Sequence, residues 1–220
     1  MTFSIIARDP ERGLFGVAVS TARPCVGAVC PYAKAGVGAI ASQSRVNVRL
    51  GTDGLRLLEL GLSPEVALTA LLQEDPEAAI RQVAGIDSRG RVFAYSGDKC
   101  VAWYGHRSGE DYSVQGNMLV GEETIDAMAE AFERSKAHLA TRLLEALEAG
   151  QAAGGDKRGR ESAALLVPAP EGGDPRAEID IRVDYHSEPV GELRRIFDEL
   201  NERRRKALTE AERKPSSGQS

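Results

Sequence analysis

Apolar residues recur along this chain in two different rhythms. Thr2–Arg8 and Leu14–Ser20 are apolar, β-branched runs parted by Asp9-Pro10-Glu11-Arg12-Gly13, where proline and glycine mark a turn. The pattern predicts two strands joined as a hairpin. Val26–Val29 and Val37–Ala41 read as further short strands, separated by Pro31 and Gly36. The rhythm then lengthens. Gly51–Leu60 carries Leu55, Leu57, Leu58 and Leu60, and Val66–Gln73 carries Ala67, Leu68, Leu71 and Leu72, which predicts two helices. Ser63-Pro64-Glu65 supplies the second with a cap and a first-turn proline. Asp75-Pro76-Glu77 reads as one more short helix start.

A second block of strands follows. Gln82–Asp87 and Arg91–Tyr95 flank a turn at Ser88-Arg89-Gly90, and Val101–His106 and Tyr112–Val114 continue the sheet. Helices return at Glu122–Arg134 and His138–Ala149, ended by Gly150 and Gly154-Gly155. Ser162–Val167 and Glu178–Val183 form a last strand pair, and Glu192–Leu208 a charged terminal helix. Strands that come in hairpins rather than in βαβ alternation predict mostly antiparallel sheets. Two strand blocks, each followed by helices, predict an α+β fold: a four-layer αββα sandwich of two stacked sheets with helices outside. A chain of 220 residues has room for one such core. A single domain over 1–208 is expected, with 209–220 a charged, disordered tail.

Composition narrows the partners. The net charge is −5 with both signs mixed along the chain, and only five Phe, five Tyr and one Trp are available for base stacking, so nucleic acid is not an expected partner. No apolar run approaches the roughly 18–20 residues of a membrane span. Arg8 and Asp9 interrupt the apolar start after Ile6, which leaves no room for a signal peptide and predicts a cytoplasmic protein. The cysteines, Cys25, Cys30 and Cys100, are odd in number. Four residues separate the first two and no histidine lies near, which suits neither disulfides nor zinc. Neither a metal site nor a cofactor is expected.

The chemistry starts at Thr2. Initiator methionine is usually trimmed before a small residue, and only Met1 precedes this one. Trimming leaves an α-amine and a hydroxyl on one residue. An α-amine titrates near ~7.7–8.0, close to where a general base works best, and an N-terminal threonine is one known form of activated hydroxyl nucleophile. The alternative is a threonine that merely begins a strand.

Several separate segments resemble a known bacterial and archaeal family: Thr2-Phe3-Ser4-Ile5, Gly16-Val17-Ala18-Val19-Ser20, Ala35-Gly36-Val37-Gly38-Ala39, Gln115-Gly116-Asn117, Ala153-Gly154-Gly155-Asp156-Lys157-Arg158-Gly159 and Val183-Asp184-Tyr185-His186. The family is domain of unknown function 1028, labelled as N-terminal nucleophile (Ntn) hydrolases, and the likeness spans about residues 2 to 197. It implies the αββα Ntn fold and, by analogy only, amide hydrolysis. It also implies a homo-oligomer, since the superfamily forms them. In proteasome-like members a lysine on a nearby strand adjusts the nucleophile. Lys34 stands at a similar separation from Thr2 and is the candidate for that charge; a solvated lysine after Tyr32 is the alternative.

An acyl transfer to Thr2 needs donors for the tetrahedral oxyanion, each contributing roughly 2.7–4 kcal/mol. Gln43, Asn117 and the backbone near Gly36 or Gly38 are candidates; a polar strand end and a turn are the alternatives for the two amides. The Gly154–Arg160 segment is the densest cluster of glycine and charge. Arg158 or Arg160 is expected to clamp a substrate carboxylate, and Asp156 to orient one of them or to accept from the Thr2 amine; a plain connecting loop is the alternative. His186, two residues after Asp184, joins the substrate-binding candidates, with a structural Asp–His contact as the alternative. The expected function is an amidohydrolase acting on a small amide or peptide-like metabolite. A non-catalytic binding or scaffold protein of the same fold is the competing reading.

Overall fold

The computed structural model describes residues 2–175 and 178–213. A six-stranded sheet contains β1 (Thr2–Asp9), β2 (Leu14–Thr21), β7 (Gly105–Gly109), β8 (Tyr112–Asn117), β9 (Ser162–Val167) and β10 (Ile179–Val183), in the order β10-β9-β2-β1-β8-β7. A four-stranded sheet is ordered β3-β4-β5-β6, from β3 (Pro31–Lys34), β4 (Gly38–Ser44), β5 (Arg81–Asp87) and β6 (Val92–Ser96). Every strand pairing is antiparallel. The helices are α1 (Val48–Glu59), α2 (Pro64–Gln73), α3 (Glu123–Arg134), α4 (Leu139–Ala152) and α5 (Pro189–Arg213).

Period-two alternation along β1 builds the layers. Phe3 and Ile5 pack with Met128, Phe132, Leu143 and Leu147 under α3 and α4. Ile6, on the other parity, packs with Val17, Val19, Ala39, Ala41 and Ile86 between the sheets. On the far side of the smaller sheet, Ile40 and Val83 meet Leu50 of α1 and Leu68 of α2. The molecule is therefore an αββα sandwich, with α1 and α2 on one outer face and α3, α4 and α5 on the other. Local signals hold the helix starts: Ser63 Oγ accepts from Val66 N at 3.2 Å, and Asn47 Oδ1 accepts from Arg49 N at 3.0 Å. Such caps stabilise a helix by about 1 kcal/mol each.

Four elements differ from the sequence expectation. Val26–Val29 is not a strand. Cys25 takes a left-handed conformation (φ 64°) and Val26–Ala28 makes a 3-10 turn, which leaves Gly27 so close to Arg182 and Ala164 that a Cβ there would lie within 2.8 Å of both side chains. Pro31–Lys34, expected as a break, is the edge strand β3, where a proline is tolerated. Val101–His106 is not a strand over its first four residues. The carbonyls of Val101 and Trp103 accept from Met118 N and Leu119 N, beyond the end of β8, rather than from a ladder. Asp75-Pro76-Glu77 leads into a 3-10 turn at Ala78–Ile80 rather than an α-helix. The terminal helix also extends past 208 to Arg213. Met1 and the 214–220 part of the expected tail lie outside the described residues.

Candidate active site

Thr2 is the first residue of a central strand. It pairs with Thr21 at the end of β2 on one side and with Asn117 at the end of β8 on the other. Directly paired side chains share a face about 4.5–5.5 Å apart. Strand parity turns all three toward the smaller sheet. Thr2 is 7% exposed, and its Oγ1 lies 3.1 Å from Thr21 Oγ1.

Beside this row the layer between the sheets is polar. Gln82 on β5 is its hub. Gln82 Nε2 donates to the carbonyls of Gly105 (3.1 Å) and Gly116 (2.8 Å) and to Ser96 Oγ (2.8 Å). Backbone carbonyls can only accept, so Gln82 Oε1 must face the other way. There it receives Asn117 Nδ2 at 2.9 Å and Gln43 Nε2 at 2.8 Å. Gln43 Nε2 also donates to Gln115 O at 3.3 Å, while Gln43 Oε1 accepts from Ser4 Oγ at 2.7 Å. Ser4 Oγ in turn accepts from Gln115 Nε2 at 2.6 Å. This chain of bonds fixes the Asn117 amide with its oxygen turned away from Gln82. Asn117 Oδ1 is buried with no hydrogen-bond partner among the described residues. A buried orphan acceptor costs about 1–3 kcal/mol, so a polar group that reached it would be bound favourably.

An open cleft of about 470 Å³ sits at this same end of the sandwich, lined by Arg23, Ser44, Arg45, Val46, Ile80, Lys99, Val101 and Met118. Arg23 stands two residues beyond Thr21, and Met118 one beyond Asn117, so the cleft walls prolong the strands that flank Thr2. Arg81 braces the wall. Its guanidinium bonds Asp75 at 2.8 Å and Glu77 at 2.9 Å, and donates to the carbonyl of Arg45 at 2.9 Å. The hydrogen bond from Arg81 to Asp75, opposed by burial, holds the Asp75 carboxyl down at about 2. A larger hollow of about 600 Å³ lies at the opposite end, between α4, α5 and the β9–β10 hairpin. Its walls are mostly apolar and hold none of the Thr2 neighbourhood, so the smaller cleft is the candidate site.

Of the residues singled out in the sequence, Thr2, Gln43, Asn117 and Asp156 come together at this end. Gln43 is fully buried with its amide hydrogens engaged inside the network, so it positions other groups rather than meeting a ligand. Asp156 fastens the Gly154–Arg160 loop to the end of β2: Oδ2 accepts from Ala22 N at 2.9 Å and Oδ1 from Arg158 N at 2.8 Å. Both candidate clamps are engaged, Arg158 with Asp156 at 3.4 Å and Arg160 with Glu188. His186 is exposed and its Nδ1 accepts from Glu188 N, while Asp184 is taken by Arg182 at 2.9 Å, so the alternative of an Asp–His contact does not form among the described residues. Lys34 is not brought to Thr2. It pairs with Gly38, five residues before Gln43 on β4, roughly 17 Å along the strand, and forms a half-exposed ion pair with Glu59 at 2.5 Å. Gly36 and Gly38 share that distant end and offer Thr2 no backbone donors.

The sequence reading missed Thr21, Ser4, Gln82 and Gln115. Their one signal is a polar residue at inward parity within a strand. Cys30, just before β3, is also buried between the sheets, and its thiol is pushed up to about 12 by burial, which keeps it protonated.

The model of the family of unknown function DUF1028 matches residues 2–193. Protein SPO2555 from Silicibacter pomeroyi, whose crystal structure carries the same family assignment, is 34% identical to this chain. The match covers 90% of this chain and 85% of that one, with a TM-score of 0.83. Anbu (ancestral beta-subunit) from Yersinia bercovieri aligns over 99% of this chain and 100% of its own at 11% identity and a TM-score of 0.40, too distant to argue from. No curated protein matches. Among the described residues no helix is long and apolar enough to cross a membrane.

Proposed function

This chain belongs to DUF1028, a family of unknown function, and we propose that it is an Ntn-type amidohydrolase with Thr2 as nucleophile. The observation that carries this reading is the placement of Thr2: the start of a central strand, between Thr21 and Asn117, at the end of the sandwich where the cleft opens. Removal of Met1 frees the α-amine there. Asn117 Oδ1, buried and without a partner among the described residues, is the acceptor we assign to it.

In the proposed reaction the neutral amine takes the proton of Thr2 Oγ as that oxygen bonds the amide carbon. The tetrahedral intermediate collapses, the C–N bond breaks, and the leaving nitrogen takes the proton back from the α-ammonium. Water, deprotonated by the same amine, then attacks the ester carbon; the bond to Thr2 Oγ breaks, that oxygen takes the proton back from the α-ammonium, and the acid leaves. Asn117 Nδ2 keeps one hydrogen beyond the one given to Gln82 and is the oxyanion donor we assign. Asp156 acts as a positioning residue through the loop it fastens. The substrate is a small amide or peptide-like metabolite, and three free cysteines suit work in the reducing cytoplasm.

A binding protein that keeps the cleft without the chemistry is the second reading, favoured by the low exposure of Thr2 and the engagement of its hydroxyl with Thr21. Intact-mass measurement together with turnover of an amide panel by wild type and Thr2→Ala separates the two. Loss of Met1 from wild type, and loss of turnover in a folded Thr2→Ala, supports the enzyme. Full activity in Thr2→Ala ends that reading.

A further inference from the structure

Arginines cluster at this end of the molecule, and most are spent on carboxylates. Arg158 is held by Asp156, Arg160 by Glu188, Arg182 by Asp184, Arg81 by Asp75 and Arg45 by Glu77. Arg23 and Lys99 are different. Both are exposed, both line the cleft, and neither has an ion-pair partner among the described residues. Among the described residues no carboxylate lines the cleft, although the chain as a whole carries a surplus of acid. An unbalanced positive site on a protein of net charge −5 is a local preference rather than a general one.

Their placement is as telling as their charge. Arg23 follows Thr21 by two residues, on one side of Thr2. Lys99 approaches from the other side, two residues before Val101, whose carbonyl holds the backbone of Met118 next to Asn117. The rest of the lining is largely apolar: Val46, Ile80, Val101 and Met118. The cleft therefore pairs a cationic rim with apolar walls, in a volume that suits a ligand of metabolite to drug size.

We propose that this cleft takes an amide whose body carries an oxyanion beside an apolar group, and that Arg23 and Lys99 bind the oxyanion while the amide lies over Thr2. This rests on the reading of Thr2 as nucleophile and adds the substrate class. It also assigns the anion-binding role to residues other than Arg158 and Arg160. Guanidinium and ammonium both recognise carboxylate and phosphate, so the shared chemistry is the oxyanion. At an open rim the attraction is screened by salt, so affinity for the anionic substrate falls as ionic strength rises.

The test uses three matched probes: N-acetylvaline, its neutral primary amide, and N-acetyl-phosphoethanolamine. Turnover is measured with the processed wild type, and equilibrium binding by calorimetry with Thr2→Ala. The expected result is binding of an anionic probe about tenfold or more tighter than the neutral one. Arg23→Gln and Lys99→Gln, each made in the Thr2→Ala background, should weaken it by a similar factor, whereas the distant charge-loss control Arg203→Gln should not. The carboxylate and phosphate arms show which oxyanion is preferred. Equal binding of neutral and anionic probes, or no binding of any probe, overturns the substrate class. So does indifference to Arg23→Gln and Lys99→Gln. Anion-selective binding that depends on Arg23 and Lys99, with no turnover of any probe by wild type, upholds the anion site and overturns the Thr2 chemistry instead.

Discussion

Thr2 and Thr21 join their side-chain oxygens at 3.1 Å across the β1–β2 pair, so a second hydroxyl stands beside the one assigned to react. The two threonines occupy matched register positions at the end of the hairpin, and the hairpin turn at the other end sets that register. A hydroxyl held this way fixes the rotamer of its neighbour.

Thr21→Val keeps the shape and removes that contact. The expected outcome is a fall of roughly 10–100-fold in kcat/KM, as for a misplaced reacting group, with a stability loss of about 1 kcal/mol. Steady-state kinetics beside a thermal melt check it. Unchanged kinetics in a folded protein would show that Thr21 does not position Thr2.

The proposed base gives the reaction a pH profile. Below the pKa of an α-amine, ~7.7–8.0 in its ordinary setting, the amine is an ammonium and cannot take the Thr2 proton. The kcat/KM of processed enzyme should therefore rise with pH through the amine's titration and level off above it. Thr2→Ser should keep the same profile at reduced rate, and a flat profile across that range rules out the amine as base.

Gln82→Leu should be among the most damaging single changes outside the apolar core. It takes a donor from the carbonyls of Gly105 and Gly116 and the acceptor from the Asn117 amide, and it removes one bond each from Gln43 and Ser96, which keep Gln115 O and His106 Nδ1 as partners. Each group left unsatisfied costs about 1–3 kcal/mol, and water can relieve only part of it. A loss of about 3 kcal/mol or more is expected in denaturant unfolding. Arg203→Gln on the surface of α5 should change stability by less than about 0.5 kcal/mol.

Asp75 makes a specific contribution to acid stability. Its carboxyl is held down at about 2, against an ordinary 3.8, by the hydrogen bond from Arg81, with burial opposing. A carboxyl lowered on folding stabilises the protein fully above its unfolded value and loses that contribution as pH falls through its folded value. Stability from this group should be constant above about pH 5 and disappear between roughly pH 4 and pH 2. Asp75→Asn should lower stability near neutral pH and flatten that part of the curve, as read by urea unfolding at stepped pH.

Much of the architecture was legible because it rests on short-range signals. The apolar, β-branched runs Thr2–Arg8 and Leu14–Ser20, with proline and glycine between, define the first hairpin, and Ser63-Pro64 marks the start of α2. The layered arrangement follows from strands that travel in hairpins. Local composition misleads where tertiary contacts take over. Val101 and Trp103 are good strand residues, yet their carbonyls bond the chain beyond β8. Lys34 shows the limit of counting residues: a separation along the chain does not say which end of a strand a side chain reaches, and β3 carries it to the far end of β4. Gln82 was invisible for a related reason. A glutamine in an apolar strand reads the same at a wet edge or inside a layer, and only the opposing strands reveal which.

That glutamine layer has a mechanical consequence. Apolar faces can slide over one another at little cost, whereas bonds aimed from one sheet at named carbonyls of the other resist any slip by a residue. The Gln43–Gln82–Asn117 set therefore acts as an alignment key between the two halves of the sandwich. With the sheets locked in phase, the loops bearing Arg23, Arg45 and Lys99 are free to vary, and recognition can diversify above a threonine whose seat does not move.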